Sequence, residues 1–322
     1  MVISNLIDKL RKKADGNSNS ESDDSFQSFE ADDFMPSERK CLEVLREVRW
    51  VDGVFCPHCR SEEVDKFGKG PKEHVQRYRC NSCNRCFNDL TGTVFERTKM
   101  KIKEWIYTGK RLLEGASMNR ISKELGRSFE AIMRIRDLAT NELARKILVE
   151  LKGEIEVDET YESAGQKGTK CEKRPPRERG LKLRGRGTYD QDKPPILALV
   201  ERGGKTILKV VRDLSNKFIN EKLEEHVKEG SDIFHDNFPI YDFISNYDHH
   251  KIDKKKEGFV KGNVHTNTVE GIFSLLKSWL RTFRGVRKDN LWKPLKIFEF
   301  NFNFRDLNPL ERLSNFFYYM LP

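Results

Sequence analysis

The segment Gly153-Glu-Ile-Glu-Val-Asp-Glu-Thr-Tyr161 alternates apolar and acidic residues along most of its length. This period of two predicts a β-strand, in which Ile155 and Val157 point to the same face. The acids of the opposite face are Glu154, Glu156 and Asp158. The strand therefore combines an apolar face with a row of carboxylates, which a folded domain can use for binding or catalysis.

Three further apolar runs are typical of strands, because each is short and bounded by turn residues or charges. They are Pro194–Arg202, Lys205–Val211 and Ser231–Asp236. Helical periodicity appears over 216–229 and again over 266–283. Strands interspersed with helices predict a mixed α/β domain.

Asp236 is the acid that best complements Asp158, because it ends an apolar strand. Asp232 would lie at the other end of that strand, away from Asp158 if the two strands run parallel. The nearby alternatives are Asp232, Asp242 and Asp248. We therefore predict that Asp158 and Asp236 lie together.

The segment His265-Thr-Asn-Thr-Val-Glu-Gly-Ile-Phe-Ser-Leu-Leu-Lys277 predicts an amphipathic helix capped by Thr266 or Asn267. Asn267 and Glu270 are three residues apart and share one side of this helix. Lys277 follows two turns later on the same stripe. The helix thus presents an amide, a carboxylate and an ammonium in one row.

Carboxylates from separate elements suit the chemistry of phosphodiesters. Attack by water or by a 3′ hydroxyl uses two divalent ions about 4 Å apart, and Mg²⁺ prefers oxygen ligands. A single surface acid is usually a solvated charge, but three acids on strands and a neighbouring helix favour a metal site. We predict that Asp158, Asp236 and Glu270 hold two Mg²⁺ ions. Asn267 would add or orient a ligand, and Lys277 would contact a DNA phosphate.

Two cysteine pairs, Cys56-Pro-His-Cys59 and Cys80-Asn-Ser-Cys83, are separated by 20 residues. Each pair forms a tight knuckle, and four thiolates complete a closed tetrahedral zinc site. The predicted ligands are Cys56, Cys59, Cys80 and Cys83, with Cys86 and His58 as possible substitutes. Such a site is structural, since metal binding contributes to the folding of so small a unit.

Residues 98–150 return to helical periodicity, beginning with an amphipathic helix over Trp105–Leu113. A later helix starts after Gly126 and is capped by Ser128, which fits a helix-turn-helix. The arginines expected to reach phosphates or base edges are Arg127, Arg134 and Arg136. The same pattern also fits an ordinary helical hairpin with solvated arginines.

The chain carries a net charge of +9, although its first 35 residues are rich in acids. Such a charge favours a polyanionic partner, because binding neutralises phosphates and releases counterions. We expect 1–35 to be a disordered acidic tail, since it has few aliphatic residues. The basic insert 166–193 is either a solvated loop or one that tracks DNA phosphates.

Membrane insertion and secretion are not expected. No run approaches the roughly 20 apolar residues that cross a bilayer, and the first residues lack the pattern of a signal peptide. We expect a cytoplasmic protein that is associated with the nucleoid when it is bound to DNA.

The segment 265–277 closely resembles the C-terminal signature of DDE-type insertion-sequence transposases. The match is to the zinc-ribbon, ISXO-like group known as the insertion-sequence 1595 family. Three other stretches resemble the same family, and the resemblance extends over about residues 36–305. They are Glu156-Val-Asp-Glu-Thr-Tyr161, Arg49-Trp-Val-Asp-Gly-Val-Phe-Cys-Pro-His-Cys59 and Leu90-Thr-Gly-Thr-Val-Phe95.

The resemblance implies an RNase H-like catalytic fold, magnesium dependence and binding of transposon ends. Asp158 and Asp236, with 77 residues between them, match the first two catalytic acids. Asp236 and Glu270 have 33 residues between them, a spacing similar to that common in this superfamily. Family members differ in whether the helix supplies Asn or Glu, and this chain has both Asn267 and Glu270. Lys277 matches the lysine seven residues after the glutamate.

The sequence therefore predicts an α+β multidomain protein. A zinc ribbon and helix-turn-helix-like helices precede an RNase H-like α/β catalytic domain. The expected boundaries are 1–35 for the tail, 36–97 for a helix with the ribbon, 98–150 for the helix-turn-helix, 151–310 for the catalytic domain and 311–322 for a C-terminal tail.

The predicted function is that of a transposase with structural Zn²⁺ and two catalytic Mg²⁺ ions. Its partners would be double-stranded DNA, as transposon ends and target, and at least one further copy of the chain for synapsis. The sequence leaves two alternatives open: a noncatalytic DNA-binding regulator, and an RNase H-like nuclease that cuts without joining.

Overall fold

The computed structural model describes residues 36–70, 74–165, 185–258, 260–283 and 285–321. The predicted acidic tail at 1–35 and most of the basic insert, 166–184, lie outside the described residues. The described chain divides into two compact units. The first contains 36–114, Met118–Leu143 and 306–321, and the second contains Gly115–Ser117 and Ala144–Arg305.

The first unit begins with helix α1 and a small antiparallel sheet. Helix α1 spans Glu38–Arg49 and is capped by Ser37, whose Oγ accepts the Lys40 N–H at 3.3 Å. The sheet has the order β1-β2-β3, and its strands are Val64–Lys69, Gln76–Cys80 and Cys86–Asn88. This sheet is the body of the predicted ribbon.

Asp89 connects helix α1 to the ribbon. Its buried carboxylate accepts hydrogen bonds from the Arg46 guanidinium at 2.8 Å, the Trp50 indole at 3.2 Å and the Tyr78 hydroxyl at 3.1 Å. A buried charge is stable only when it is paired and hydrogen-bonded, as this one is. The helix and the ribbon of 36–97 therefore share one core.

Three helices follow the ribbon: α2 spans Ile102–Leu113, α3 spans Met118–Glu124 and α4 spans Phe129–Lys146. A short turn joins α3 to α4, and the Ser128 Oγ before α4 accepts the Ala131 N–H at 3.2 Å. For one of the three arginines predicted to contact DNA, the prediction is wrong. Arg136 is buried and its guanidinium is bonded to Asp137, because its position falls on the inner stripe of α4.

The other two arginines of this segment remain on the surface. Arg134 is exposed on α4. Arg127 is also exposed, and its guanidinium donates to the Glu104 carboxylate of α2 at 2.7 Å.

The second unit is built on a five-stranded sheet of order β6-β5-β4-β7-β8. The strands are β4 Glu154–Tyr161, β5 Pro195–Glu201, β6 Thr206–Val210, β7 Asp232–Asp236 and β8 Asp248–Ile252. The β4-β5-β6 part is antiparallel, whereas β4, β7 and β8 run parallel. This arrangement is the RNase H-like sheet that the sequence predicts, with β4 in its centre.

Helices cover both faces of this sheet. Helix α5, Asn216–His226, packs Ile219 and Leu223 against the face that carries Ile155 and Val157. Helices α6, Asn267–Arg281, and α7, Trp292–Asn303, cover the opposite face. The acids at even positions of β4 therefore point toward the side of α6.

The C-terminal residues differ from the prediction. We expected a tail at 311–322, but helix α8 spans Pro309–Tyr318 and belongs to the first unit. Asn308 caps it by accepting the Glu311 N–H at 2.9 Å, and Phe316 is buried. A Cβ at Gly109 would lie 2.7 Å from Cζ of Phe317, so this glycine permits the close approach of α8 to α2.

In the ranges that the structure describes, no helix combines the length and the apolar composition that a membrane span requires.

Candidate active site and zinc centre

Asp158 and Asp236 occupy equivalent positions on two adjacent parallel strands. The register pairs Glu154 with Asp232 and Val157 with His235. The next residue of each strand is Asp158 on β4 and Asp236 on β7, so the two aspartates lie side by side. Asp158 and Asp236 come together, as predicted, because β7 runs parallel to β4. Asp232 lies at the opposite end of β7.

The other candidate aspartates point elsewhere. Asp232 accepts a hydrogen bond from the His250 imidazole at 2.9 Å. Asp242 accepts one from the Lys251 ammonium at 2.6 Å. Asp248 begins β8 and pairs in register with Asp232. None of the three takes the position beside Asp158.

Asp158 has an unusual ionisation equilibrium. Burial of its carboxyl, followed by the negative charges of Glu159 and Asp236, raises its pKa from 3.8 to about 7. The Glu159 N–H donates to Oδ1 of Asp158 at 2.8 Å, and this bond and the charge of Lys254 act in the opposite direction. A divalent cation bound beside Asp158 would offset the negative charges around its carboxyl.

Glu159 points to the opposite face of β4 and is engaged there. The Tyr241 hydroxyl donates to its Oε2 at 2.6 Å, and the Tyr161 hydroxyl donates to its Oε1 at 3.3 Å. Burial raises the pKa of this carboxyl. Tyr241 belongs to a short 3-10 helix, Pro239–Phe243, that follows Asp236. Glu159 therefore fastens the segment after the second aspartate to the strand of the first.

Glu270 lies in the first turn of α6 with its carboxylate 43% exposed. The Lys254 ammonium, from the loop after β8, donates to Oε1 of Glu270. The positive charge of Lys254 also lowers the pKa of Asp158. A side-chain cation therefore pairs with the third predicted acid and acts electrostatically on the first.

Asn267 and Lys277 lie on the same exposed stripe of α6 as Glu270. Thr266 occupies the cap position, as predicted, but its side chain accepts no backbone N–H of the helix, and its Oγ1 donates to Oε1 of Glu270 at 3.5 Å. Instead, Oε2 of Glu156 accepts the Val269 N–H at 2.9 Å. The acid comes from a strand about 110 residues away in sequence, so local capping rules do not reveal it.

The acids fit magnesium by the chemistry of their donors. Carboxylate oxygens are its preferred side-chain ligands, and the Lys254 ammonium already takes a cation position among them. The oxygen atoms of the three predicted carboxylates are farther apart than the ligand atoms of one metal ion would be. In the described residues, only the cysteines form a set of three or more such groups with all ligand atoms within 4.8 Å.

The four predicted zinc ligands converge in the ribbon. The Sγ atoms of Cys56 and Cys83 are 3.6 Å apart, as are those of Cys59 and Cys80, and all four lie within 4.8 Å of one another. A tetrahedral site with Zn–S bonds of about 2.3 Å requires sulfur separations of about 3.8 Å. The thiolates therefore fit zinc closely, and they form the structural zinc site.

The two alternatives for this zinc site lie outside the set. Neither His58 nor Cys86 belongs to the cluster, and Cys86 is exposed on β3. Arg60 and Asn84, which directly follow the second cysteine of each pair, both adopt positive φ angles of 67° and 60°. This shared turn lets each knuckle present two sulfurs to one point.

The chain has matches to two family models. Residues 150–303 match the ISXO2-like transposase domain, and residues 36–86 match the transposase zinc-ribbon domain. These ranges contain β4, β7, α6 and all four zinc-site cysteines.

Two relatives carry names that refer to mobile DNA elements. An uncharacterized protein in transposable element ISH50 of Halobacterium salinarum is 36% identical over 272 residues, which cover 82% of this chain and 90% of the relative. The insertion element iso-IS1N protein InsA of Shigella dysenteriae is 45% identical over 53 residues, 16% of this chain and 56% of the relative.

Among solved structures, a pre-cleavage Mos1 transpososome aligns over 88% of this chain and 98% of its own chain, with 11% identity and a TM-score of 0.22. That score is too low to support an argument. The two family models and the long match to the ISH50 relative show that the chain belongs to the insertion-sequence 1595 family of transposases.

Proposed function

We propose that this transposase binds the ends of an insertion sequence and catalyses magnesium-dependent DNA cleavage and strand transfer. Asp158, Asp236 and Glu270 hold two Mg²⁺ ions, and Asn267 adds or orients a ligand. When bound, these ions supply positive charge that polarises the phosphate and activates the attacking hydroxyl.

The observation that carries the proposal is the position of the acids. Asp158 and Asp236 lie side by side on parallel strands, and the Lys254 ammonium bonds Glu270 while its charge lowers the pKa of Asp158. Neighbouring carboxylates repel one another and so disfavour the folded state. A purely structural role therefore does not account for these acids. The placement of two of these acids, Asp158 and Asp236, on neighbouring strands supports cation binding.

The residues around these acids have separate tasks. Glu159 and Tyr241 fix the segment that follows Asp236. Lys254 neutralises the acids in the absence of metal, and Lys277 supplies a second ammonium two turns along α6 for a DNA phosphate. Water and then the freed 3′ hydroxyl act as nucleophiles, so the protein forms no covalent bond to DNA.

DNA binding belongs to the first unit in this proposal. The ribbon, with its structural zinc, and the helix-turn-helix of α3 and α4 contact transposon ends. Arg134 is exposed for a phosphate or base contact, whereas Arg136 is not. Joining two ends requires synapsis, so we propose a homodimer or a larger assembly on double-stranded DNA.

The experiment uses purified full-length protein and labelled duplexes that carry the inverted repeats flanking the gene. Cleaved and joined products are resolved by denaturing electrophoresis in Mg²⁺ and in EDTA. Joined products in Mg²⁺ alone support the proposal. Cleavage without joining identifies a nuclease, and shifted but uncut DNA identifies a binding protein.

A further inference from the structure

Glu156 is a fully buried carboxylate that the proposed reaction does not use. It lies on β4 two residues before Asp158, on the same face of the strand. Its Oε2 accepts the Val269 N–H at 2.9 Å, and its Oε1 accepts the Thr268 hydroxyl at 3.0 Å. Both donors belong to the first turn of α6. A strand side chain thus replaces the local cap of this helix.

Two basic side chains contact this carboxylate. The Arg202 Nε donates to Oε1 of Glu156 at 2.8 Å, and the His265 imidazole lies 3.1 Å from the same oxygen. Arg202 also donates to the His265 carbonyl at 2.9 Å and stacks on the Phe234 ring at 4.0 Å. The guanidinium therefore holds the residue that precedes α6 as well as the acid that caps it.

An anion at this position has two favourable effects on α6. It satisfies the Val269 N–H, a first-turn group that has no partner inside the helix, and it interacts with the positive end of the helix dipole. Both effects fix the start of α6 along its axis. A neutral amide would retain part of the hydrogen bonding and lose the charge.

Glu156 also connects the elements that carry two of the proposed ligands. Asp158 is two residues from it along β4, and Val269 directly precedes Glu270. We propose that Glu156 is a positioning residue that sets the separation between Asp158 and Glu270. This inference rests on the proposed magnesium site and deepens it, because the strand acid determines where the helix acid can reach.

The test compares Glu156→Gln with Glu154→Gln in the full-length, zinc-containing protein. Glu154 lies on the same strand and also contacts Arg202, at 3.0 Å, but it makes no bond to α6 among the described contacts. Mg²⁺ affinity is measured by calorimetry, and the melting temperature of each variant is recorded. We expect Glu156→Gln to weaken Mg²⁺ binding roughly tenfold or more, and Glu154→Gln to retain wild-type affinity.

A stability control separates positioning from simple loss of a cap. The Ser215 Oγ accepts the Phe218 N–H at 3.3 Å and caps α5 on the other face of the sheet. Ser215→Ala should lower the melting temperature but leave Mg²⁺ affinity unchanged. If Glu156→Gln does not fold, Thr268→Val offers a milder change, since it removes one donor to Glu156. We expect a reduction in Mg²⁺ affinity of a few fold for that variant.

The outcomes test the positioning role of Glu156 separately from the proposed magnesium site. Wild-type Mg²⁺ affinity in folded Glu156→Gln, or in Thr268→Val where the former does not fold, contradicts the positioning role and leaves the magnesium site intact. An equal loss of affinity in Ser215→Ala also contradicts it, since destabilisation alone would then explain the effect. No Mg²⁺ binding by the wild-type protein contradicts the proposed function, and the positioning role with it.

Discussion

Asp158 lies beside Asp236 because Val157 and His235, the residues before them, pair in register on two parallel strands. The pair is destabilising without a cation, since burial and the negative charges of Glu159 and Asp236 raise the pKa of Asp158 to about 7. A cation, whether a metal ion or the ammonium of Lys254, relieves this repulsion.

Asp158→Asn should stabilise the magnesium-free protein at high pH. The folded-state pKa is raised above the ordinary 3.8, so the folded state binds its proton more tightly and loses stability as the pH rises from about 4 to 7. A shift of this size corresponds to at most about 4 kcal/mol. We expect the variant to melt several degrees above wild type at pH 8, with a smaller difference at pH 5.

The matched control for this experiment is Asp232→Asn. Asp232 begins the strand that Asp236 ends, and it is bonded to His250 rather than to another acid. Its substitution should not give a gain in melting temperature over wild type that is larger at pH 8 than at pH 5. A pH-independent effect of Asp158→Asn would contradict the repulsion between the acids.

Lys254→Gln should alter the balance between the free and the magnesium-bound protein. The Lys254 ammonium pairs with Glu270 and competes with Mg²⁺ for it. The variant should melt at a lower temperature without metal and bind Mg²⁺ severalfold more tightly in calorimetry. Because both partners are partly exposed, we expect an effect on the order of 1 kcal/mol or less.

Lys261→Gln serves as the control for Lys254→Gln. Lys261 pairs with Glu257, at 2.6 Å, in the same stretch of chain. Neither residue belongs to the proposed metal site. Equal changes of Mg²⁺ affinity in both variants would indicate a general charge effect and would contradict a specific role of Lys254.

Glu270→Gln should impair cleavage far more than Asn267→Ala. Both residues are exposed on one stripe of α6, but only Glu270 of the two is bonded by the Lys254 cation among the described contacts. We expect a loss of about two orders of magnitude in magnesium-dependent cleavage for Glu270→Gln and a loss of about tenfold for Asn267→Ala. The reverse order would assign the third ligand position to Asn267.

Cys80→Ser should abolish stoichiometric zinc, because three thiolates no longer close the tetrahedral site. Metal analysis of the purified protein measures this directly. Cys86→Ser is the control, since Cys86 lies on the same sheet and outside the sulfur cluster. Retention of one zinc ion per chain in Cys80→Ser would contradict the assignment of the ligands.

Alternating and helical periodicity predict much of the second unit. Strands β4 to β7 and helices α5 and α6 appear close to their expected positions, since each has either an apolar face or, like β5, a continuous apolar run. Strand β8 is not apparent in the sequence, because Asp248-His-His-Lys-Ile252 is an edge strand that is largely polar and exposed. Helix α7 is not apparent in the sequence either, since its aromatic residues recur at every second position, which is the period of a strand.

The metal ligands are easier to predict than the residues that hold them in place. Paired cysteines at a fixed spacing and acids at strand ends are visible along the chain. Glu156 and Lys254 act through contacts with α6 over long sequence separations, so only the folded structure identifies them. One sequence signal did exist: Glu156 is an acid on the face of Asp158, at a position flanked by two apolar residues.

Asp236 and its neighbouring acids are proposed to hold the ions for DNA chemistry, and substitutions at opposite ends of strand β7 test this most directly. The measurement is the amount of joined DNA product formed in Mg²⁺ by Asp236→Asn and by Asp232→Asn. We predict that Asp236→Asn abolishes joining while Asp232→Asn, still folded and zinc-loaded, retains it. Joining by Asp236→Asn at the wild-type rate would show that this carboxylate does not hold a catalytic ion.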